Sequence, residues 1–381
     1  MISSASSSSR PTATALAATL LLLGCGGAGA KLSTRPGPVL ARVALFPLEN
    51  QSGASAPMRE LLEPVERALA ARGLEVVSGE IVQRFLSKYR IRHTGGLDRP
   101  SAKAAREELG VEGVVLTTLE TYKPGPPPRV ALTMRLVSAG EEPSIEWIDG
   151  FARSGDDAPG LLALGVIQDL KVLEREAFTR VASSLAAFLE RKGERAPPCA
   201  RGRRYRPAVA FRASSLRPDQ EYTVAVVPFV NRTARRGAGE LVSLAFVRQL
   251  ASTPNLHPVE PGVVREVLLS HRIIMEGGIS LEATRVLLGA LDADLVLAGE
   301  LLDYDDSGIP KVNFAATMLD RGSGEVVWQS ISHNQGDDGV FFFDLGQVST
   351  AQRLTCRMVA NAVAGMTGRA SARVSDIPHG R

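Results

Sequence analysis

Cysteine, histidine and aromatic side chains are scarce in this chain: three cysteines, five histidines and 5% aromatics among 381 residues. His93, His257, His271, His333 and His379 follow no ligand spacing, and neither a nucleophile elbow nor a zincin motif occurs. The sequence therefore offers no recognisable catalytic or metal constellation. An excess of one charge is also lacking. Lysine plus arginine number 44 against 41 acidic residues, and a net charge of +3 does not provide the concentrated basic face that nucleic acid needs. The apolar run at residues 13–23 is too short to span a bilayer comfortably. What remains is an ordinary globular composition, 44% hydrophobic and 22% charged, long enough for two domains with sizeable cores.

That apolar run follows a Ser-rich leader whose only basic residue is Arg10, which is the pattern of a signal-peptide core. The run ends in Leu22, Leu23, Gly24 and Cys25, which resembles the lipobox of bacterial lipoproteins. The resemblance implies cleavage before Cys25 and lipidation of its thiol, with each buried methylene adding about 0.8 kcal/mol of membrane affinity. Gly26, in place of an aspartate, implies the outer rather than the inner membrane, facing the periplasm. Residues 1–24 are thus expected to be the signal peptide and residues 25–38 a lipidated Gly/Ala/Pro tether. Cys199 and Cys356 are the other two cysteines; an oxidising periplasm permits a disulfide, but nothing in their spacing demands one.

The mature chain reads as one unit written twice. Residues 42–52 (Arg-Val-Ala-Leu-Phe-Pro-Leu-Glu-Asn-Gln-Ser) are announced again at 223–233 (Thr-Val-Ala-Val-Val-Pro-Phe-Val-Asn-Arg-Thr), with Pro47 and Pro228 separated by 181 positions. A helix follows in each, with Leu61, Leu62, Val65 and Leu69 set against Leu241, Leu244, Ala245 and Leu250. In the next helix Ile81, Val82, Phe85, Leu86 and Tyr89 recur as Val263, Val264, Val267, Leu268 and His271, an amphipathic stripe. Asp98 and Ser280 then stand as N-caps after glycine pairs, with the sharper phosphate-cradle reading disfavoured because no P-loop lysine follows. A central strand, a hairpin, a tryptophan on the return strand (Trp147, Trp328) and a closing helix complete each copy. Those tryptophans are expected as core anchors rather than stacking surfaces.

Each copy therefore predicts an α/β (α+β) unit in which a mixed sheet is packed by helices, two tandem duplicated domains joined like beads. The expected boundaries are residues 39–194 and 220–369 for the repeats, a basic solvated linker at 195–219 and a disordered tail at 370–381. The strand at residues 223–230, the run Ala-Asp-Leu-Val-Leu-Ala-Gly-Glu-Leu-Leu-Asp-Tyr and the later Gly-Glu-Val-Val-Trp look like the periplasmic α/β domain shared by three groups. These are the TolB amino-terminal domain, the curli-assembly lipoproteins and the lipoprotein activators of penicillin-binding proteins. The resemblance implies envelope work by protein contact: assembly, secretion or activation of a peptidoglycan enzyme. Pore formation is disfavoured, since the loops are too short for transmembrane hairpins of about ten residues per strand.

The candidate sites lie where the copies differ. Phe341, Phe342 and Phe343 exceed what one strand face can bury, and Arg201, Arg203 and Arg204 concentrate charge in the linker; both stretches are candidate partner surfaces. The repeated Gly155-Asp156-Asp157 and Gly336-Asp337-Asp338 are the strongest metal candidates, but consecutive carboxylates diverge on a strand, so turn capping is the preferred reading. The sequence thus predicts a non-enzymatic lipoprotein adaptor, without cofactor or metal, whose partners are a lipid anchor in the membrane and unidentified envelope proteins, an oligomer being allowed. The alternative is a ligand-sensing or enzyme-like lipoprotein using the cleft between the repeats.

Overall fold

A computed structural model describes residues 42–71, 73–158, 165–190, 198–202, 204–274, 278–340 and 346–367. The expected signal peptide, tether and Cys25 lie outside the described residues, as do Arg203, Phe341, Phe342, Phe343 and the expected tail.

The strand β1 (Arg42–Leu45) is apolar on both faces, which suits a sheet centre. It pairs in parallel with β3 (Glu75–Val77) on one side and β4 (Gly113–Lys123) on the other. Pro47 ends it, and β2 (Glu49–Asn50) resumes beside β4. Helices α1 (Met58–Ala70), α2 (Gly79–Lys88) and α3 (Arg99–Ala104) make the crossovers. An antiparallel meander of β4, β5 (Arg129–Ser138) and β6 (Ile145–Ser154) then leads to α4 (Leu170–Glu190). The strand order is β3-β1-β4-β5-β6. Helices α1 and α4 cover one face, over Leu119, Leu132, Met134 and Trp147. Helices α2 and α3 cover the parallel half of the other, over Phe46, Val114 and Leu116.

The second repeat builds the same sheet from β8 (Tyr222–Val226), β9 (Val230–Asn231), β10 (Leu256–Pro258), β11 (Leu295–Asp305), β12 (Lys311–Asp320) and β13 (Val326–Gln335). Its helices are α5 (Ala238–Ala251), α6 (Pro261–Ser270), α7 (Leu281–Leu291) and α8 (Ala351–Thr367). The small features repeat as well. Asn50 and Asn231 each accept the amide two residues on at 3.0 Å, closing the turn after Pro47 and Pro228. Asp98 and Ser280 cap α3 and α7 by accepting from Ser101 and Ala283, as expected. Trp147 and Trp328 are both buried core residues. The two Gly-Asp-Asp motifs are turns. Asp157 accepts from the amide of Ser154 at 3.2 Å and Asp338 from that of Gln335 at 3.0 Å. A Cβ on Gly155 or Gly336 would stand 2.1 Å from the carbonyl of Ile167 or Val348, where the chain returns past the turn. Among the described residues no cluster of His, Cys, Asp and Glu could hold a metal ion. None of their helices is long and apolar enough to cross a membrane.

Three expectations change. First, part of the segment read as a solvated linker folds: β7 (Val209–Arg212) adds an antiparallel edge strand to β13, Tyr205 is buried, and Cys199 forms a disulfide with Cys356 on α8. The apolar run Val209-Ala210-Phe211 meets an edge whose backbone groups otherwise lack partners. Second, the alignment of α5 shifts by one residue: Val242, Phe246 and Leu250 match Leu61, Val65 and Leu69 of α1 in the core, while Leu241 and the core residue Leu244 line a cavity against the first repeat. Third, the repeats are not separate beads: both lie within one compact unit.

Candidate functional site: the seam between the repeats

The half of sheet 1 that α2 and α3 leave uncovered presents two cross-strand rows on one face: Thr118, Thr133 and Gly150, then Arg135 and Ile148 beside the already covered Leu116. Helices α5, α6 and α8 of the second repeat cover them. Arg135 is 1% exposed, and its guanidinium meets the fully buried Glu260 through Nε to Oε2 at 3.1 Å and a terminal nitrogen to Oε1 at 3.0 Å. The same terminal nitrogen donates to the carbonyl of Gly95. Glu260 is also the N-cap of α6, accepting from Gly262 at 3.4 Å and from Leu97 of the first repeat at 3.2 Å. One carboxylate thus starts a helix in one repeat and neutralises a cation of the other. Burial of such a pair gives little net stability, but removing one member strands its partner in a dry site.

Asp306 repeats the device at α8. Its Oδ1 accepts from the amide of Ala351 at 3.0 Å, and Lys123 and Arg129 of the first repeat approach its carboxylate at 3.5 and 3.6 Å. Between these anchors Arg248 of α5 donates to Asp149 at 2.5 Å, and Arg353 of α8 donates to Asp157 at 3.0 Å. Glu120 lies buried among them. Burial raises its carboxyl above the ordinary range, opposed by hydrogen bonds from Thr133 and Gln352 and by Arg235. The guanidinium of Arg235 lies 5.0 Å from the ring centroid of Tyr304, whose hydroxyl burial also pushes upward.

Backbones touch where glycines allow it. A Cβ on Gly96 would lie 2.8 Å from the Cα of Gly262, and one on Gly262 would lie 2.2 Å from the nitrogen of Leu97. Beside this contact the seam opens into a cavity of about 370 Å³. Leu241, Leu244 and Val247 of α5 and Val264 and Leu268 of α6 form one side, while residues 89–93, Gly95, Gly96 and Glu49 form the other.

Of the candidate partner residues, Arg201 is exposed on the surface. Arg204 lies beside Gly339 and Gly346, the glycines that flank the segment holding Phe341, Phe342 and Phe343. Neither arginine lines the seam cavity. Sequence reasoning passed over the seam residues, although a signal was present: at equivalent strand positions Arg135 becomes Thr317 and Glu120 becomes Leu302.

The fold and seam define a two-repeat α+β protein whose second repeat caps the first. No protein-family model matches the chain, and no curated protein matches it. Among solved structures it is similar to the PelC dodecamer from Paraburkholderia phytofirmans, at 18% identity over 42% of this chain and 97% of that one, TM-score 0.29. It is also similar to lipoprotein GNA1162 from Neisseria meningitidis, at 18% identity over 38% of this chain and 99% of that one, TM-score 0.27. The C-terminal domain of LpoB from Salmonella enterica matches at 20% identity over 30% of this chain and 82% of that one, TM-score 0.25. Each likeness spans less than half of this chain.

Proposed function

We propose that this chain is a lipid-anchored periplasmic adaptor, held in the outer membrane through Cys25 and acting by protein contact rather than catalysis. One observation carries the contact reading. The rows that the second repeat covers on sheet 1 recur on sheet 2 as Glu300, Ala315, Ile331 and Val209, then Ala298, Thr317, Gln329 and Phe211. On sheet 2 Ala298 packs at the border of the α6–α7 core, no described element covers the rest, and Val209 and Phe211 are 45% and 47% exposed. The open face ends at β7, an edge strand with free backbone groups for a partner.

A second copy stacking in the manner of the two repeats is disfavoured by α1. Where α5 offers Leu241, Leu244 and Val247 to the seam, α1 has Glu60, Glu63 and Glu66 at the corresponding positions. A different envelope protein therefore suits the open face better, with Phe341, Phe342, Phe343, Arg201, Arg203 and Arg204 as further contact candidates. A photo-crosslinking residue in place of Phe211 should capture an envelope protein in whole cells, and one in place of Glu63 should not. Equal capture from both positions, or none from Phe211, would count against the adaptor. Cys25→Ala should move the protein out of the membrane fraction; retention there would count against the anchor.

A further inference from the structure

The cavity at the seam has two chemically unlike sides. Leu241, Leu244 and Leu268 of the second repeat give it an apolar wall. This wall is a departure from the first repeat, because the α1 residues matching Leu241 and Leu244 are the exposed Glu60 and Glu63. Opposite and around it, Arg90, Arg92 and Arg265 line the cavity.

Four carboxylates, Glu49, Asp98, Glu240 and Glu266, also line the cavity, and each is held by an amide donor of the protein. Glu49 and Glu240 accept from the Gln51 amide at 3.3 and 2.7 Å, and Glu266 accepts from the amide of Arg99 at 3.0 Å. Asp98 is occupied as the cap of α3. The arginines are not matched in this way. Arg265 contacts the Nε2 of His93 at 2.7 Å, a ring that is itself 3.7 Å from Glu49. Among the described residues, neither Arg90, Arg92 nor Arg265 reaches a carboxylate, and Arg92 and Arg265 are exposed. An apolar wall beside guanidinium groups that reach no carboxylate suits a molecule with an apolar body and an anionic head.

We propose that this cavity binds a small amphipathic anion, an acyl carboxylate in its simplest form, with the chain against the leucines and the head at Arg92 and Arg265. The volume of about 370 Å³ lies within the range of ligand sites, roughly 300–1,000 Å³. The site is separate from the open face of sheet 2, so it stands or falls independently of the adaptor reading.

The test is calorimetric titration of the full chain carrying Cys25→Ala, free of detergent, with decanoate, butanoate and decyltrimethylammonium. Decanoate should bind at a single site, at least about tenfold more tightly than either of the others, and more weakly as salt is raised. The double variant Arg92→Ala/Arg265→Ala should lose about tenfold or more in decanoate affinity, with its thermal unfolding unchanged because both residues are exposed. Three results would overturn the proposal: no heat of binding with decanoate, equal affinity for the cationic amphiphile, or equal affinity in the arginine variant. Equal binding of butanoate would remove the role of the leucine wall and overturn it as well.

Discussion

The same sheet face meets two different fates in this molecule. On sheet 1, Arg135 and Thr133 are buried beneath α5, α6 and α8, and the rows end in a network of carboxylates and cations. On sheet 2, the positions of those residues are Thr317 and Ala315, half exposed and without an ionic partner. A duplicated fold therefore does not mean duplicated surfaces. The first repeat spends its distal face on the second, leaving the second repeat's face open, and polarity follows the difference. Burial at the seam is compensated by ion pairs and helix caps, whereas the open face, apart from Glu300 with its exposed partner Arg232, carries neutral and apolar residues.

The comparison breaks most sharply at its buried ion pair. Arg135→Ala should destabilise the protein by about 3–5 kcal/mol, because Glu260 would be left charged in a dry site. Its counterpart Thr317→Ala should stay within about 0.5 kcal/mol, both measured by urea unfolding. The disulfide, which belongs to the second repeat alone, comes next. Cys199→Ser should cost roughly 2–5 kcal/mol, since the bond closes a long loop of 157 residues in the unfolded chain. Similar unfolding midpoints with and without reductant would contradict that expectation.

Glycine gives a finer contrast. Gly262→Ala should cost about 1–3 kcal/mol, because its methyl would press on the Leu97 backbone. Gly289→Ala, in α7 with open space around it, should instead gain up to about 1 kcal/mol. The smallest effect is expected at Glu120, whose position in the second repeat is the exposed Leu302. Burial raises its folded-state pKa above the unfolded value, so the folded protein binds more protons through that window. Its contribution is therefore favourable at low pH and is lost as pH rises from about 4.3 through the raised value. Glu120→Gln should raise the melting temperature at neutral pH, and the gain should shrink as the pH falls towards 4; a constant gain would rule out the burial explanation.

Much of this could be read in advance. The shared proline break, the capping residues Asp98 and Ser280 and the two tryptophans are local features, and the structure places each in the role its neighbours imply. The register between α1 and α5 was harder. An amphipathic stripe identifies the inward side of α1, but α5 is apolar on two sides, so Leu241, which faces the cavity, reads like Leu244, which belongs to the core as well. The segment 195–219 misled for a related reason: its arginines suggest solvent, and only the free edge of β13 turns Val209, Ala210 and Phe211 into a strand.

By itself, the sequence determined the repeated α+β unit, its strand order of events along the chain and its caps, because periodicity, turn chemistry and short motifs act within a few residues. Only the tertiary structure decided that Arg135 meets Glu260, that Gly96 meets Gly262, that Cys199 meets Cys356, and that one sheet face closes while its copy stays open. Those outcomes depend on which surfaces of two similar units fit together. Such a fit joins residues more than a hundred positions apart, where charge, shape and desolvation must be satisfied at once.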